Sequence, residues 1–219
     1  MQRPEFEMIA FDWDGTLMDS TPSIRCIQEV CRDFHLPVPA YECADRIIGF
    51  SLYDALQIAV PTLNRMYYSR FSERYRYHHL RSRSTIVLFE GVRELLDELH
   101  TRGCFLTVAT GKSRVGLNRA LEETGLMGLF DATRCADETF SKPHPSMLQE
   151  LALELGQDLS RTVMIGDTTD DLQMAKNAGA ASVGVCYGGA YSREQLEAFS
   201  PNYIASSVFE LYEWLLERA

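Results

Sequence analysis

The chain has 219 residues, 46% of them hydrophobic and 24% charged, with a formal net charge of −10. These are the proportions of a globular protein long enough to bury a sizeable core. The acidic balance excludes a chain-wide electrostatic grip on nucleic acid or on an anionic membrane surface.

The N-terminus, MQRPEFEMIAFDWD, has acids where a secretion signal needs an apolar stretch. Met8, Ile9, Ala10 and Phe11 then form a short apolar run, read as a buried strand. It ends at once on Asp12, Trp13, Asp14, Gly15 and Thr16. From Thr21 the pattern turns helical. Thr21 suits an N-cap and Pro22 the first helical position. Ile24, Ile27, Val30, Cys31 and Phe34 mark one face of that helix. After a break at 36–39, a short helix is expected to end near Gly49, and Ser51 with Asp54 forms a capping box for another. Pro61 opens a new segment, and 62–80 reads as a long polar-faced helix. Its run YYSRFSERYRYHH is aromatic and basic, but Tyr67, Phe71 and Tyr75 recur every four residues. That spacing argues for an amphipathic helix over a nucleic-acid patch.

The texture changes after this strand-free block. Helices are expected at 92–102, 113–124, 145–155, 169–178 and 208–217. Strands are expected at 104–109, 131–136, 162–165, 181–185 and 203–205. Strand alternating with helix predicts a parallel sheet covered on both faces. The expected fold is therefore α/β, a Rossmann-like parallel sheet interrupted just after its first strand by an all-helical insert. The boundaries are 1–17 for the first piece of the core, 18–84 for the insert and 85–219 for the rest. No apolar run approaches a membrane span. Cys26, Cys31, Cys43, Cys104, Cys135 and Cys186 form no CxxC pair. They are read as reduced core thiols in a cytoplasmic protein.

Open parallel sheets bind ligands at the carboxyl ends of their strands. Those ends carry Asp12 and Asp14, then Thr110, Gly111 and Lys112, then Lys142 beside Pro143, then Asp167 with Asp170 and Asp171. Side chains alternate along an extended segment, so Asp12 and Asp14 face one way and Trp13 the other. With Asp167 added, three acids converge. Such a cluster repels itself unless a hard cation is bound, and oxygen ligands select Mg²⁺ over zinc. The Thr110 hydroxyl, the Gly111 N–H and the Lys142 ammonium supply donors for phosphate oxygens. Taken singly these signals are bland: a strand-end cap, a solvated lysine, acids favoured in a first helical turn. The order Asp, Thr, Lys, Asp along successive strand ends carries the specificity.

These motifs resemble those of the haloacid dehalogenase-like (HAD) hydrolases, in their phosphoglycolate-phosphatase-like branch. Residues 12–20 match the pattern DxDGTLxDS. Ala109-Thr110-Gly111 with Lys112 matches the second motif, and Lys142-Pro143-His144-Pro145 matches KPxP. Residues 166–171 match GDxxxD, with Ala175 and Asn177-Ala178-Gly179 following. The resemblance implies a phosphatase of small phosphorylated metabolites that works through an aspartyl-phosphate. Asp12 would be the nucleophile, and Asp14 would protonate the leaving alcohol and later activate water. Mg²⁺ would be held by the Asp12 carboxylate, the Asp14 backbone carbonyl and the Asp167 carboxylate, with Asp171 supporting the site through water or a hydrogen bond to Lys142. Thr110, Gly111 and Lys142 would hold the phosphoryl group. The insert would be a C1-type helical cap, with Arg46 as a possible substrate contact. A phosphomutase of the β-phosphoglucomutase type shares every core residue and is the alternative. A receiver domain is excluded by its length and by the placement of its acceptor. The sequence carries no signal of oligomeric state.

Overall fold

A computed structural model describes residues 5–39, 57, 60–61, 63–81, 87–189 and 191–219. The strands are β1 (Met8–Phe11), β2 (Phe105–Thr110), β3 (Ala132–Cys135), β4 (Thr162–Gly166), β5 (Ala181–Val185) and β6 (Tyr203–Ala205). They form one six-stranded sheet in the order β3-β2-β1-β4-β5-β6, and every pairing is parallel. The helices are α1 (Thr21–Asp33), α2 (Tyr68–Arg81), α3 (Val92–Thr101), α4 (Arg114–Thr124), α5 (Ser146–Leu155), α6 (Thr169–Ala178), α7 (Arg193–Glu197) and α8 (Val208–Leu216).

The strands are short apolar runs because both faces of the sheet are buried. Alternation along β1 divides them. Ile9 and Phe11 join Leu106, Val108, Val163 and Ile165 in a core closed by Leu95 and Leu99 of α3, Leu117 of α4 and Leu211 of α8. Met8 and Ala10 point the other way, to a core with Met147 and Leu151 of α5 and Met174 of α6. The chain winds outward from β1 through β2 to β3, then returns through β4 to β6. β1 therefore stands at the reversal of strand order, where ligands bind in such sheets.

Helices α1 and α2 lie in the sequence between β1 and β2 and share a separate apolar cluster of Ile27, Val30, Cys31, Val60, Leu63 and Phe71. The two connections to this block run side by side. The Phe89 N–H donates to the Leu17 carbonyl (3.0 Å), and the Asp19 N–H to the Val87 carbonyl (2.9 Å).

Local details differ from the expectations. Thr21 is already helical and Ser20 is the cap residue. The Asp19 carboxylate accepts from the Thr21 N–H at 2.9 Å, so the side-chain cap comes from the residue before Ser20. The helix expected at 62–80 starts later. Asn64 caps a 3-10 turn, Arg65–Tyr67, before α2 begins. Tyr67 is consequently 39% exposed, while Phe71 is buried and Tyr75 packs against its cluster. Helix α7 was not expected, although Ser192 and Gln195 form its capping box. The expectations on Cys43, Arg46, Gly49, Ser51 and Asp54 lie outside the described residues. Among the described residues the five other cysteines are free thiols, and no helix is long and apolar enough to cross a membrane.

Candidate active site

Phe11 pairs with Val108 on one side and Ile165 on the other. The next residue, Asp12, donates its N–H to the Ile165 carbonyl at 2.8 Å. Asp12, Thr110 and Asp167 thus emerge from the carboxyl ends of the three central strands. Trp13 is fully buried on the opposite face, edge-on to Phe130 at 6.4 Å between centroids. It anchors the two flanking carboxylates from below. The chain then turns sharply, and the Leu17 and Met18 N–H groups both donate to the Trp13 carbonyl. Gly15 takes φ +74°, and a Cβ there would meet Asp167 Oδ2 at 2.0 Å. Only glycine permits both the turn and the approach.

Lys142 bridges two acids. Its Nζ lies 2.6 Å from Asp12 Oδ1 and 2.6 Å from Asp171 Oδ1. Asp171 is held in turn by a capping box: the Thr168 hydroxyl and N–H donate to its other oxygen at 2.6 and 3.1 Å. Gly166 leaves room for it, since a Cβ there would meet Asp171 Cγ at 2.2 Å. The Thr16 hydroxyl donates to Asp167 at 3.4 Å. One carboxylate oxygen from each of Asp12, Asp167 and Asp171 lie within 4.8 Å of one another. Asp14 is turned to a different cation, with its Oδ2 2.9 Å from Lys112 Nζ.

Among the described residues four buried acids thus face two lysines, a formal excess of two negative charges. Buried oxygen donors with that excess suit a hard divalent cation, and the triad of Asp12, Asp167 and Asp171 could hold one. Burial pushes the Asp12 carboxyl up to about 7. Lys142 pulls it down, and Asp171 and Asp14 repel its charge. Burial alone would depress the Lys142 ammonium, but the attraction of Asp12 and Asp171 outweighs it and holds the group above its usual range.

Thr110 is fully buried, and its hydroxyl accepts from the Lys112 N–H at 3.2 Å. The structure thus brings Asp12, Asp14, Thr110, Lys142, Asp167 and Asp171 to one sheet edge, with Gly111 in the turn after β2. Arg46 lies outside the described residues. Two features had no role in the sequence reading. Lys112 was visible at a strand end, but its pairing with Asp14 was not. The loop after β5 also braces the turn that follows Asp12. The Tyr187 hydroxyl donates to the Thr16 carbonyl at 2.9 Å, and a Cβ on Gly188 would stand 2.1 Å from the Gly15 carbonyl oxygen. Gly188→Ala must therefore displace that turn. It is expected to lower stability by roughly 1–3 kcal/mol, the usual cost of overpacking. Urea unfolding measures this, and an unchanged midpoint would show that the two backbones have room to part.

Comparison with known proteins agrees with this geometry. The family model described as haloacid dehalogenase-like hydrolase matches residues 9–185. A protein of Dickeya dadantii (strain 3937) named "Probable phosphatase IndB" is 34% identical over 93% of this chain and 91% of its own. The phosphoglycolate phosphatase of Vibrio parahaemolyticus serotype O3:K6 is 30% identical over 97% of both chains. In fold, the chain matches a crystal structure from Haemophilus somnus 129PT described as a "predicted phosphoglycolate phosphatase". The TM-score is 0.81 at 22% identity, covering 97% of this chain and 99% of that one. With the Asp12–Met18 turn, the lysine bridge and the acid cluster all inside the matched span, this chain belongs to the haloacid dehalogenase-like hydrolase family.

Proposed function

We propose that the protein is a Mg²⁺-dependent phosphatase of small phosphate monoesters, acting through phosphoryl transfer to Asp12, with phosphoglycolate the substrate its relatives suggest. The observation that carries this reading is the Lys142 bridge from Asp12 to Asp171 beside Asp167. It fixes one oxygen of a buried carboxylate and leaves the other to attack phosphorus. As the Asp12–phosphorus bond forms, the bond to the leaving oxygen breaks, and Asp14 delivers a proton to that oxygen. Asp14 then takes a proton from water, which attacks the same phosphorus and frees Asp12. The Thr110 hydroxyl, the Gly111 N–H and the Lys142 ammonium hold the phosphoryl oxygens through both steps. Asp171 keeps Lys142 in place. The Asp12 carboxylate, the Asp14 backbone carbonyl and Asp167 would hold Mg²⁺, which would supply positive charge to offset the crowding of acids and of phosphoryl oxygens. The insert, residues 18–84, acts as a cap for the core formed by 1–17 and 85–219. Buried free thiols fit a cytoplasmic setting.

The test is phosphate release from an aryl phosphate with Mg²⁺, with and without chelator, alongside thermal unfolding at two pH values. Activity is expected to disappear with chelator; activity that survives overturns the metal dependence. The pH sign follows from Asp12. Its folded value of about 7 is raised above the ordinary 3.8. The stability this contributes is complete below about 4 and is lost as pH rises through 7. The metal-free protein is thus less stable at pH 8 than at pH 5.5 on this account. The metal needs Asp12 ionised, so added Mg²⁺ should raise the unfolding temperature more at pH 8. A larger shift at pH 5.5 would contradict the assignment. Interconversion of hexose phosphates with a sugar bisphosphate present would move the reading to the phosphomutase.

A further inference from the structure

Lys112 has no part in the reaction set out above, yet its ammonium lies 2.9 Å from the acid-base carboxylate of Asp14. The side chains are 17% and 9% exposed, so both charges are largely withdrawn from water. The contact is an ion pair without hydrogen-bond alignment. Among the described residues neither Asp14 oxygen accepts a hydrogen bond, although both are sealed from solvent. Lys142 is different, since it is clamped between two carboxylates at 2.6 Å each. The backbone of Lys112 is nevertheless fixed. Its N–H donates to the Thr110 hydroxyl at 3.2 Å, and its carbonyl accepts from the Ala136 N–H at 3.0 Å. A firmly placed backbone thus carries an ammonium with three donors and one loosely aligned partner.

Substrate must enter this arrangement. On the phosphatase reading, on which this inference rests, the leaving oxygen comes within hydrogen-bond reach of Asp14. Whatever that oxygen carries then lies beside Lys112. Adding hydrogen-bond reach to the 2.9 Å between Asp14 and Lys112 places the ammonium within about 6 Å of the ester oxygen. A carboxylate on the carbon next to the ester carbon falls inside that radius. A half-buried ammonium attracts such a group far more strongly than one in water would.

We propose that Lys112 is a specificity residue, whose ammonium takes a carboxylate carried by the leaving alcohol close to the ester oxygen. The favoured substrates are then phosphate esters of short 2-hydroxy acids, over esters of neutral alcohols of the same size.

The test uses the full chain with Mg²⁺ and two esters of matched size, 2-phosphoglycolate and 2-hydroxyethyl phosphate. The ratio of their kcat/KM values is measured for the native chain, for Lys112→Gln and for Lys112→Arg. The native chain is expected to prefer the acid. Lys112→Gln is expected to lower the ratio by about tenfold or more, the size of one lost hydrogen bond between charged groups. The loss should fall chiefly in KM, because the contact is made in the ground state as well. Lys112→Arg should keep most of the preference. A ratio unchanged in Lys112→Gln, with both esters slowed together, overturns the proposal and makes Lys112 a holder of Asp14 or of the transferring phosphoryl group. A native chain that cleaves both esters without preference overturns it too, and leaves the phosphatase reading standing. A native chain that cleaves neither ester overturns the proposal, and release of phosphate from an aryl phosphate then decides the phosphatase reading separately.

Discussion

Asp12→Asn is expected to lower turnover by roughly 10⁴-fold or more and to leave the fold standing. An amide oxygen is no nucleophile toward phosphorus, and none of the neighbouring acids can replace it. Asp167 follows a different strand, and Asp171, in the first turn of α6, is already engaged by its capping box and by Lys142. The fold should survive because burial and two neighbouring acids already disfavour the Asp12 charge. Removing that charge relieves repulsion, and Lys142 keeps Asp171 as its partner. The unfolding temperature of the metal-free variant should therefore equal or exceed that of the native chain. Phosphate release and thermal unfolding measured together check both halves. A variant that retains more than about a hundredth of native activity would remove Asp12 from the chemistry.

Asp14→Asn is expected to fail differently, and the difference depends on the leaving group. With an alkyl phosphate the departing alkoxide needs a proton, so the first step should slow by about 10²–10⁴-fold. With an aryl phosphate the departing phenolate needs none. Phosphoryl transfer to Asp12 should then proceed, and hydrolysis of the product should stall for want of a base. The expected trace is a burst of one phenolate per site followed by a slow phase. A uniform loss on both kinds of ester, with no burst, would reduce Asp14 to a structural role. The Lys112 pair adds a condition. Asparagine leaves that ammonium without its counter-ion, so weaker stability at low salt should accompany the kinetic effect.

Much of the core was legible because its signals are local. Residues 181–185 and 169–178 could be bounded closely from apolar runs, from the acids at the start of α6 and from the glycine that ends it. Alternation sufficed to put Trp13 on the far side from Asp12. The start of α2 was less legible. Asn64 competes for the backbone of the residues after it and holds them in a 3-10 turn, which strips Tyr67 from the apolar face. The five-residue α7 is too short to show a periodicity, and only its capping box betrays it.

The site divides in the same way. The acids and the hydroxyl could be gathered from strand ends alone. The Lys142–Asp171 contact was implied by the family resemblance alone, and the Lys112–Asp14 pair was not legible at all, because it spans a loop that only the folded sheet brings together. The brace of Gly188 on Gly15 is of this kind as well. It is a backbone contact across the whole core, and a glycine after a strand gives no hint of its partner.

The central claim is that the phosphoryl group passes through Asp12. Asp14→Asn should be incubated with Mg²⁺ and an aryl phosphate, quenched in acid during the slow phase, digested and read by mass spectrometry. The account predicts one phosphoryl group per chain, on the peptide that contains Asp12. A phosphoryl group on any other residue, or a full phenolate burst that leaves the chain unmodified, would contradict it.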